Sequence, residues 1–249
     1  PKQLSYASLD IVKIRDHLVA QIKAAAVTRP RRRGGKAEAQ PAPQPATPAR
    51  AYRGFARPNL VVMGTSTGGP GALSEIIPAL PADLPVGVLV VQHMPPGFTG
   101  PLAKRLDSLS AITVREAADG HSIQPGEVLI APAGFHMTLV REAFTKCVVR
   151  IGDEPSGTLH KPSVDVTMLS AAEVFGARAM GVILTGMGSD GARGIAAIHE
   201  RGGITVGQDE ATSVVYGMPR ACAERNVLRR IVPLAAVSAE ILAATRSGQ

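Results

Sequence analysis

The sequence predicts an α/β fold: a doubly wound, mostly parallel sheet with helices on both faces and a small antiparallel hairpin. Three observations carry this expectation. Short, nearly continuous apolar runs of strand length occur at 60–63, 86–91, 128–131, 181–184 and 204–206, with shorter ones at 112–115 and 148–151. Segments with helical apolar spacing separate several of them, at 70–80, 98–109, 165–178 and 192–201, with a last one at 234–245. Strands that read as unbroken apolar runs are covered on both faces, which is the parallel-sheet pattern. The stretch 120–150 differs, because its strand signals lie close together around turns at Gly126, Ala133-Gly134 and Arg141-Glu142. An antiparallel hairpin is expected there.

In chain order, residues 8–26 read as an amphipathic helix, with Leu9, Val12, Leu18, Val19 and Ile22 at helical spacing and Ser8 able to cap its start. It is short for a self-sufficient helix and needs a partner to pack on. Residues 27–57 read as a linker: the charge run Arg31-Arg32-Arg33-Gly34-Gly35-Lys36 precedes a proline-rich spacer at 40–48. The globular body is expected from 58 to 249. The chain begins with Pro1, not methionine, as a fragment of a longer protein would.

Charge and composition narrow the function classes. The net charge is +7, of which residues 1–57 contribute +9 and residues 58–249 contribute −2. The basic character therefore belongs to the leading segment, whereas a nucleic-acid-binding domain carries its charge on the folded surface. With no Trp and 3% aromatics, base-stacking platforms are scarce, and no nucleic-acid partner is expected. No apolar run is long enough to cross a bilayer and no signal peptide is visible, so a cytoplasmic protein without membrane insertion is expected. Cys147 and Cys222 suggest neither a disulfide framework nor a zinc site.

The chemistry starts at the first body strand. Leu60-Val61-Val62-Met63 runs into Gly64-Thr65-Ser66-Thr67-Gly68-Gly69, which fits G-x-S-x-G, a strained strand-to-helix turn that pushes a serine outward. In a parallel α/β sheet, ligands bind outside the carboxyl ends of the strands. His93 follows the 86–91 strand and Asp190 follows the 181–184 strand, each in a Gly/Pro-rich loop. Serine is a weak nucleophile alone: an imidazole has to take its proton, and a carboxylate has to orient that imidazole and stabilise its charged form. Ser66, His93 and Asp190 are the set that acyl transfer needs. Each has a bland counterpart: Ser66 as a turn residue, His93 as a core histidine, Asp190 as the N-cap of the 192–201 helix. His160 is the second candidate base; Asp165 and Asp209 are the second candidate acids. His121, His136 and His199 fall in a turn, the hairpin and a helix. The order Ser, His, Asp is not that of α/β-hydrolases.

A different class remains alongside: a nucleotide- or phosphate-binding α/β domain without hydrolase activity, with the glycine-rich loop cradling a phosphate. Against it, the dinucleotide fingerprint wants glycine where Ser66 stands and an acid where Gln92-His93 ends the second strand, and no Gly-Lys-Ser/Thr occurs.

Five stretches carry a resemblance: Gly64 to Gly69, Gln92-His93-Met94-Pro95-Pro96-Gly97-Phe98-Thr99, Lys161-Pro162-Ser163-Val164-Asp165, the run from Gly181 to Gly191, and Tyr216-Gly217-Met218-Pro219-Arg220-Ala221. In this order they resemble the catalytic domain of the bacterial chemotaxis protein-glutamate methylesterases, over about residues 58–245. The resemblance implies hydrolysis of glutamate γ-methyl esters on the helical cytoplasmic region of chemoreceptors, and deamidation of certain receptor glutamines. It implies Ser66 as nucleophile, His93 as general base, Asp190 as its orienting carboxylate, and the backbone N–H groups of Thr67 and Met187 as the oxyanion hole, with no cofactor and no metal. Members carry an N-terminal receiver domain that occludes the site until phosphorylated. Residues 1–26 are similar to the last helix of that domain and 27–57 to the interdomain linker, so the chain is expected to be uninhibited. Ser189 departs from the asparagine often found there.

Overall fold

The computed structural model describes residues 52, 54–143 and 146–246. The helix expected over 8–26 and the linker as far as Ala51 lie outside the described residues.

The described chain builds a seven-stranded, wholly parallel sheet in the order β3-β4-β2-β1-β7-β8-β9, with a separate two-stranded antiparallel sheet, β5-β6. The strands are β1 (Leu60–Thr65), β2 (Gly87–Gln92), β3 (Thr113–Glu116), β4 (Glu127–Ile130), β5 (His136–Arg141), β6 (Cys147–Gly152), β7 (Ala179–Ile183), β8 (Ile204–Gln208) and β9 (Arg230–Val232). The helices are α1 (Gly69–Ile76), α2 (Thr99–Leu109), α3 (Val164–Phe175), α4 (Ala192–Glu200), α5 (Met218–Ala223) and α6 (Leu234–Arg246).

Successive strand side chains point to opposite faces, and that alternation divides the core in two. Val61 and Met63 of β1, Val88 and Val90 of β2, and Met180 and Val182 of β7 pack with Leu73 and Ile76 of α1, Leu102 and Leu106 of α2, and Val237 and Ile241 of α6. Leu60, Val62, Leu89, Val91, Ala179 and Ile183 point the other way, onto Val164 and Met168 of α3, Ile195 and Ile198 of α4, and Met137 and Leu139 of the hairpin. Every residue of β1, β2, β7 and β8 is buried, which is why these strands read as unbroken apolar runs. The hairpin joins α3 through polar bonds as well: Thr167 Oγ1 donates to the Met137 carbonyl at 2.7 Å, and the Leu139 N–H donates to Ser170 Oγ at 3.2 Å.

The fold places the site by topology. From β1 the chain builds outward through β2 toward β3 and β4, then returns to set β7 on the other side of β1 and continues to β8 and β9. The helices that follow β1 and β7 go to opposite faces. Between such strands the two loops separate and leave a crevice at the carboxyl edge, the switch point of an open α/β sheet.

The sequence expectation and the structure differ at the smaller elements. Helices expected over 70–80 and 165–178 each close in a 3-10 turn, at Ile77–Ala79 and Gly176–Arg178. Strand β9 and helix α5 have no counterpart in the expectation: three and six residues are too short to display a period. Tyr52 and residues 54–57, inside the range read as linker, contact the body. The Tyr52 hydroxyl donates to Glu240, the Arg229 guanidinium lies 4.5 Å from the Phe55 ring centroid, and Arg57 Nε donates to the Thr245 carbonyl at 2.6 Å.

Candidate active site

Three adjacent strands, β2, β1 and β7, deliver the site. Thr65 pairs with Gln92, so Ser66 and His93 leave neighbouring parallel strands at the same register, about 4.8 Å apart. The His93 N–H donates to the Thr65 carbonyl at 3.1 Å, and the Ser66 N–H donates to the Thr185 carbonyl at 3.0 Å. These bonds extend the ladder just past the strands and fix where the loops begin.

Buried polar side chains hold those loops. Thr65, Gln92, Thr185 and Gln208, all at the carboxyl ends of strands, are 0–1% exposed. Gln92 Nε2 donates to the carbonyls of Ser66 and His93, at 3.0 and 2.9 Å, and so clasps both candidates from below. Thr65 Oγ1 donates to the Thr185 carbonyl at 2.9 Å, and Thr185 Oγ1 donates to that of Thr67 at 2.9 Å. Gln208 Oε1 accepts the Thr185 N–H at 2.8 Å. Such groups are costly to bury unless paired; apart from Gln92 Oε1, which is buried without a protein partner, the bonds above pair them and make them fixed anchors.

The turn carrying Ser66 needs its glycines for stated reasons. Gly68 has φ 85°, left-handed backbone in which a side chain is strained, and a Cβ there would lie 2.7 Å from Val214 Cβ. Gly186 lets the loop after β7 close onto the serine: a Cβ there would fall 2.8 Å from Ser66 Cβ and 2.2 Å from Met218 Sδ.

His93 Nε2 donates to Asp190 Oδ2 at 2.8 Å. The other ring nitrogen, Nδ1, is buried and has no protein partner. In a neutral ring with its proton on Nε2, Nδ1 holds the lone pair. Ser66 is half-buried, and among the described residues no hydrogen bond joins its hydroxyl to the ring. Unliganded sites commonly leave this contact open until substrate binds.

Asp190 accepts four bonds. Oδ1 takes the Ser163 hydroxyl at 2.9 Å and the Asp165 N–H at 2.9 Å; Oδ2 takes the Val164 N–H at 2.7 Å as well as His93. Burial pushes its pKa up, but the bond from His93 and those from Asp165, Val164 and Ser163 pull harder and bring it down to about 2. The carboxylate is thus ionised and aimed at the imidazole.

Asp190 does not cap the helix that follows it. Gly191 is the N-cap of α4, while Asp190 reaches across to the start of α3. Asp165, the alternative acid, meets no histidine: its Oδ1 accepts the N–H groups of Gly191, Arg193 and Gly194 at 2.9, 3.0 and 2.9 Å, and Oδ2 pairs with Arg193 Nε at 3.0 Å. Asp209 closes a local turn with Thr212, accepting its N–H at 3.0 Å.

His160, the alternative base, stacks on His93 with ring centroids 4.1 Å apart and planes 22° apart. His136 is buried; its Nδ1 accepts the Ser163 N–H at 3.3 Å, so Nε2 carries the proton and donates to Thr158 Oγ1 at 2.9 Å. His121 Nδ1 accepts the Ala118 N–H within its own turn, and His199 lies in the last turn of α4.

Among the described residues the N–H groups of Thr67 and Met187 donate to no protein acceptor. They are two free donors on the loops that flank Ser66. Ser163 is the residue that sequence reasoning overlooked. It sits at the N-cap of α3, and its hydroxyl is committed to Asp190, a role that only a contact across the fold reveals. No group of three or more His, Cys, Asp or Glu among the described residues is arranged to hold a metal ion.

Comparison with known proteins agrees with this fold. The model of the CheB methylesterase family matches residues 61–241. The chain is 47% identical over 252 residues to a protein-glutamate methylesterase/protein-glutamine glutaminase of Symbiobacterium thermophilum, covering 97% of this chain and 68% of that protein. It is 53% identical over 184 residues to one of Moorella thermoacetica, covering 74% of this chain and 43% of that protein. The crystal structure of the Thermotoga maritima CheB methylesterase catalytic domain superposes with a TM-score of 0.72 at 41% identity, covering 75% of this chain and 98% of that one. With a family model spanning most of its length and a solved catalytic domain sharing its fold, this chain belongs to the CheB methylesterase family.

Proposed function

We propose that the chain is a serine hydrolase that removes methyl groups from glutamate γ-methyl esters on the cytoplasmic helices of chemoreceptors, and deamidates receptor glutamines, in chemotactic adaptation. Ser66 is the nucleophile, His93 the general base and Asp190 the carboxylate that orients it. The observation that carries this reading is the 2.8 Å bond from His93 Nε2 to Asp190, which leaves Nδ1 as the basic nitrogen on a ring one strand from Ser66.

The reaction follows from that arrangement. Ser66 Oγ attacks the γ-carbonyl carbon as its proton passes to His93 Nδ1. The imidazolium is stabilised by Asp190, which stays ionised. The N–H groups of Thr67 and Met187 receive the charge that develops on the carbonyl oxygen. Collapse breaks the ester C–O bond; His93 Nδ1 returns the proton to the leaving oxygen and methanol departs. Water then attacks the acyl-enzyme with His93 again taking the proton, and glutamate leaves as Ser66 regains its hydrogen. With glutamine the same steps release ammonia.

The surroundings suit a macromolecular substrate. The cavity beside Asp190, bounded by Thr158, His160 and Arg193, is about 290 Å³ and open. Leu159 lines it and Met187 adjoins its Gly188, both exposed, while Phe98 and Val214 stand exposed on other loops that follow strands of the same sheet. An apolar collar around a small polar centre fits a helix surface that presents one ester. No helix among the described residues is long and apolar enough to cross a membrane, and we assign the enzyme to the cytoplasm, where the receptor helices are.

The test is methanol release from methylated receptors in membranes. The chain should release it, and Ser66→Ala should lower the rate at least about 10³-fold with an unchanged melting temperature. A variant that keeps its rate would overturn the assignment of Ser66.

A further inference from the structure

His93 is fixed by a single side-chain hydrogen bond, Nε2 to Asp190. One bond holds one edge of a ring and does not by itself set its plane, which the packing around the largely buried side chain has to fix. The nitrogen whose aim depends on that plane is Nδ1, which has no protein partner. In the reading above, Nδ1 has to meet the serine proton, and transfer is sensitive to small errors of alignment. The ring of His160 covers the face of His93 at 4.1 Å, with the planes 22° from parallel.

His160 is itself held. Thr158 Oγ1 donates to the His160 carbonyl at 3.1 Å and accepts from His136 Nε2 at 2.9 Å. His136 is 1% exposed, and its other nitrogen accepts the N–H of Ser163, whose hydroxyl donates to Asp190. The Lys161 carbonyl accepts the Gly134 N–H at 3.1 Å and ties down the next residue. One path of hydrogen bonds thus runs from the platform back to the carboxylate that holds His93.

We propose that His160 is a positioning residue: its ring is a platform that sets the plane of His93, and the His136–Thr158 pair holds that platform in place. The proposal rests on His93 being the base of the reaction. Loss of solvation, and then the nearness of His93, lower the pKa of His160, so the platform is uncharged near neutral pH and does not repel the imidazolium that forms beside it. Stacking between an uncharged ring and a cationic one is attractive.

The experiment compares His160→Ala, His160→Phe and Thr158→Val in the full chain, with Ser66→Ala as the reference. Two readouts are used: kcat and KM on a p-nitrophenyl ester, and the rate of Ser66 labelling by a fluorophosphonate. His160→Ala should lower kcat and the labelling rate about tenfold, with KM within about twofold and the melting temperature unchanged. His160→Phe keeps a flat ring and no titratable proton, and should stay within about threefold of the parent on both readouts. Thr158→Val should fall between them. Unchanged rates in His160→Ala overturn the proposal. So does His160→Phe falling as far as His160→Ala, because the imidazole would then be needed for its own proton chemistry. If His160→Ala does not fold, Thr158→Val decides: a parent-like kcat overturns the proposal. An active Ser66→Ala would instead overturn the triad itself, which keeps the two failures apart.

Discussion

Asp190 and Asp165 each bind the start of the helix on which the other depends. Asp190, just before α4, accepts the N–H groups of Val164 and Asp165 at the start of α3. Asp165, in the first turn of α3, accepts those of Gly191, Arg193 and Gly194 at the start of α4. Helix N-termini present free N–H groups and a partial positive charge, and both carboxylates satisfy that need. The exchange locks two helices together and fixes the carboxylate that faces His93.

Replacing Asp190 by Asn separates geometry from charge. The amide cannot accept at both positions, and it cannot stabilise an imidazolium. We expect kcat to fall by about 10³–10⁴-fold, with a smaller change in KM. Steady-state kinetics on an ester substrate checks this, and a loss below tenfold would contradict the assigned role.

Asp165→Ala should act through stability first. It leaves three N–H groups at the start of α4 without their acceptor, and Arg193 without its partner. A loss of about 1–3 kcal/mol in urea unfolding is expected, with kcat reduced as the Asp190 loop loosens. A parent-like stability would show that the exchange does not hold the helices.

Asp190 also sets an acid limit. Its folded pKa, about 2, lies below the ordinary value of 3.8, so the group stabilises the fold above the unfolded pKa. That contribution, about 2 kcal/mol, is lost as pH falls from about 4 through about 2. Unfolding free energies measured across this range should show a steeper decline for the parent than for Asp190→Asn.

Gly186→Ala tests the closure of the β7 loop over Ser66. The added methyl meets Met218 Sδ at 2.2 Å and Ser66 Cβ at 2.8 Å unless something moves. A stability loss of about 1–3 kcal/mol and a fall in serine labelling are expected. Differential scanning calorimetry and a fluorophosphonate probe measure the two.

Glu240→Ala should release Tyr52 from the body. Glu240 is 3% exposed, accepts the Tyr52 hydroxyl and pairs with Arg230 at 3.0 Å. Removing it leaves the half-buried Tyr52 hydroxyl and the partly exposed Arg230 guanidinium without their partner, a cost of about 1–3 kcal/mol. Faster proteolysis near Tyr52 would report the release.

How far the sequence alone reaches depends on whether a signal is local. The five central strands of the parallel sheet and the five longer helices were legible because burial on two faces and the 3.6-residue period both leave marks within a few residues. Ser66, His93 and Asp190 were legible as residues at strand ends, because in a parallel sheet the strand end says which rim a loop joins. The sequence also offered Asp190 as the cap of its own helix and His160 as the second candidate base. Only tertiary structure shows where the two side chains go: Asp190 turns to the start of α3, and His160 rests on the face of His93. Those outcomes depend on contacts between residues 25 to 67 positions apart, and no local pattern encodes a distance across the fold. The physical reason is that burial and backbone pairing are written residue by residue, whereas the partner of a side chain is set only when separate strands pack side by side.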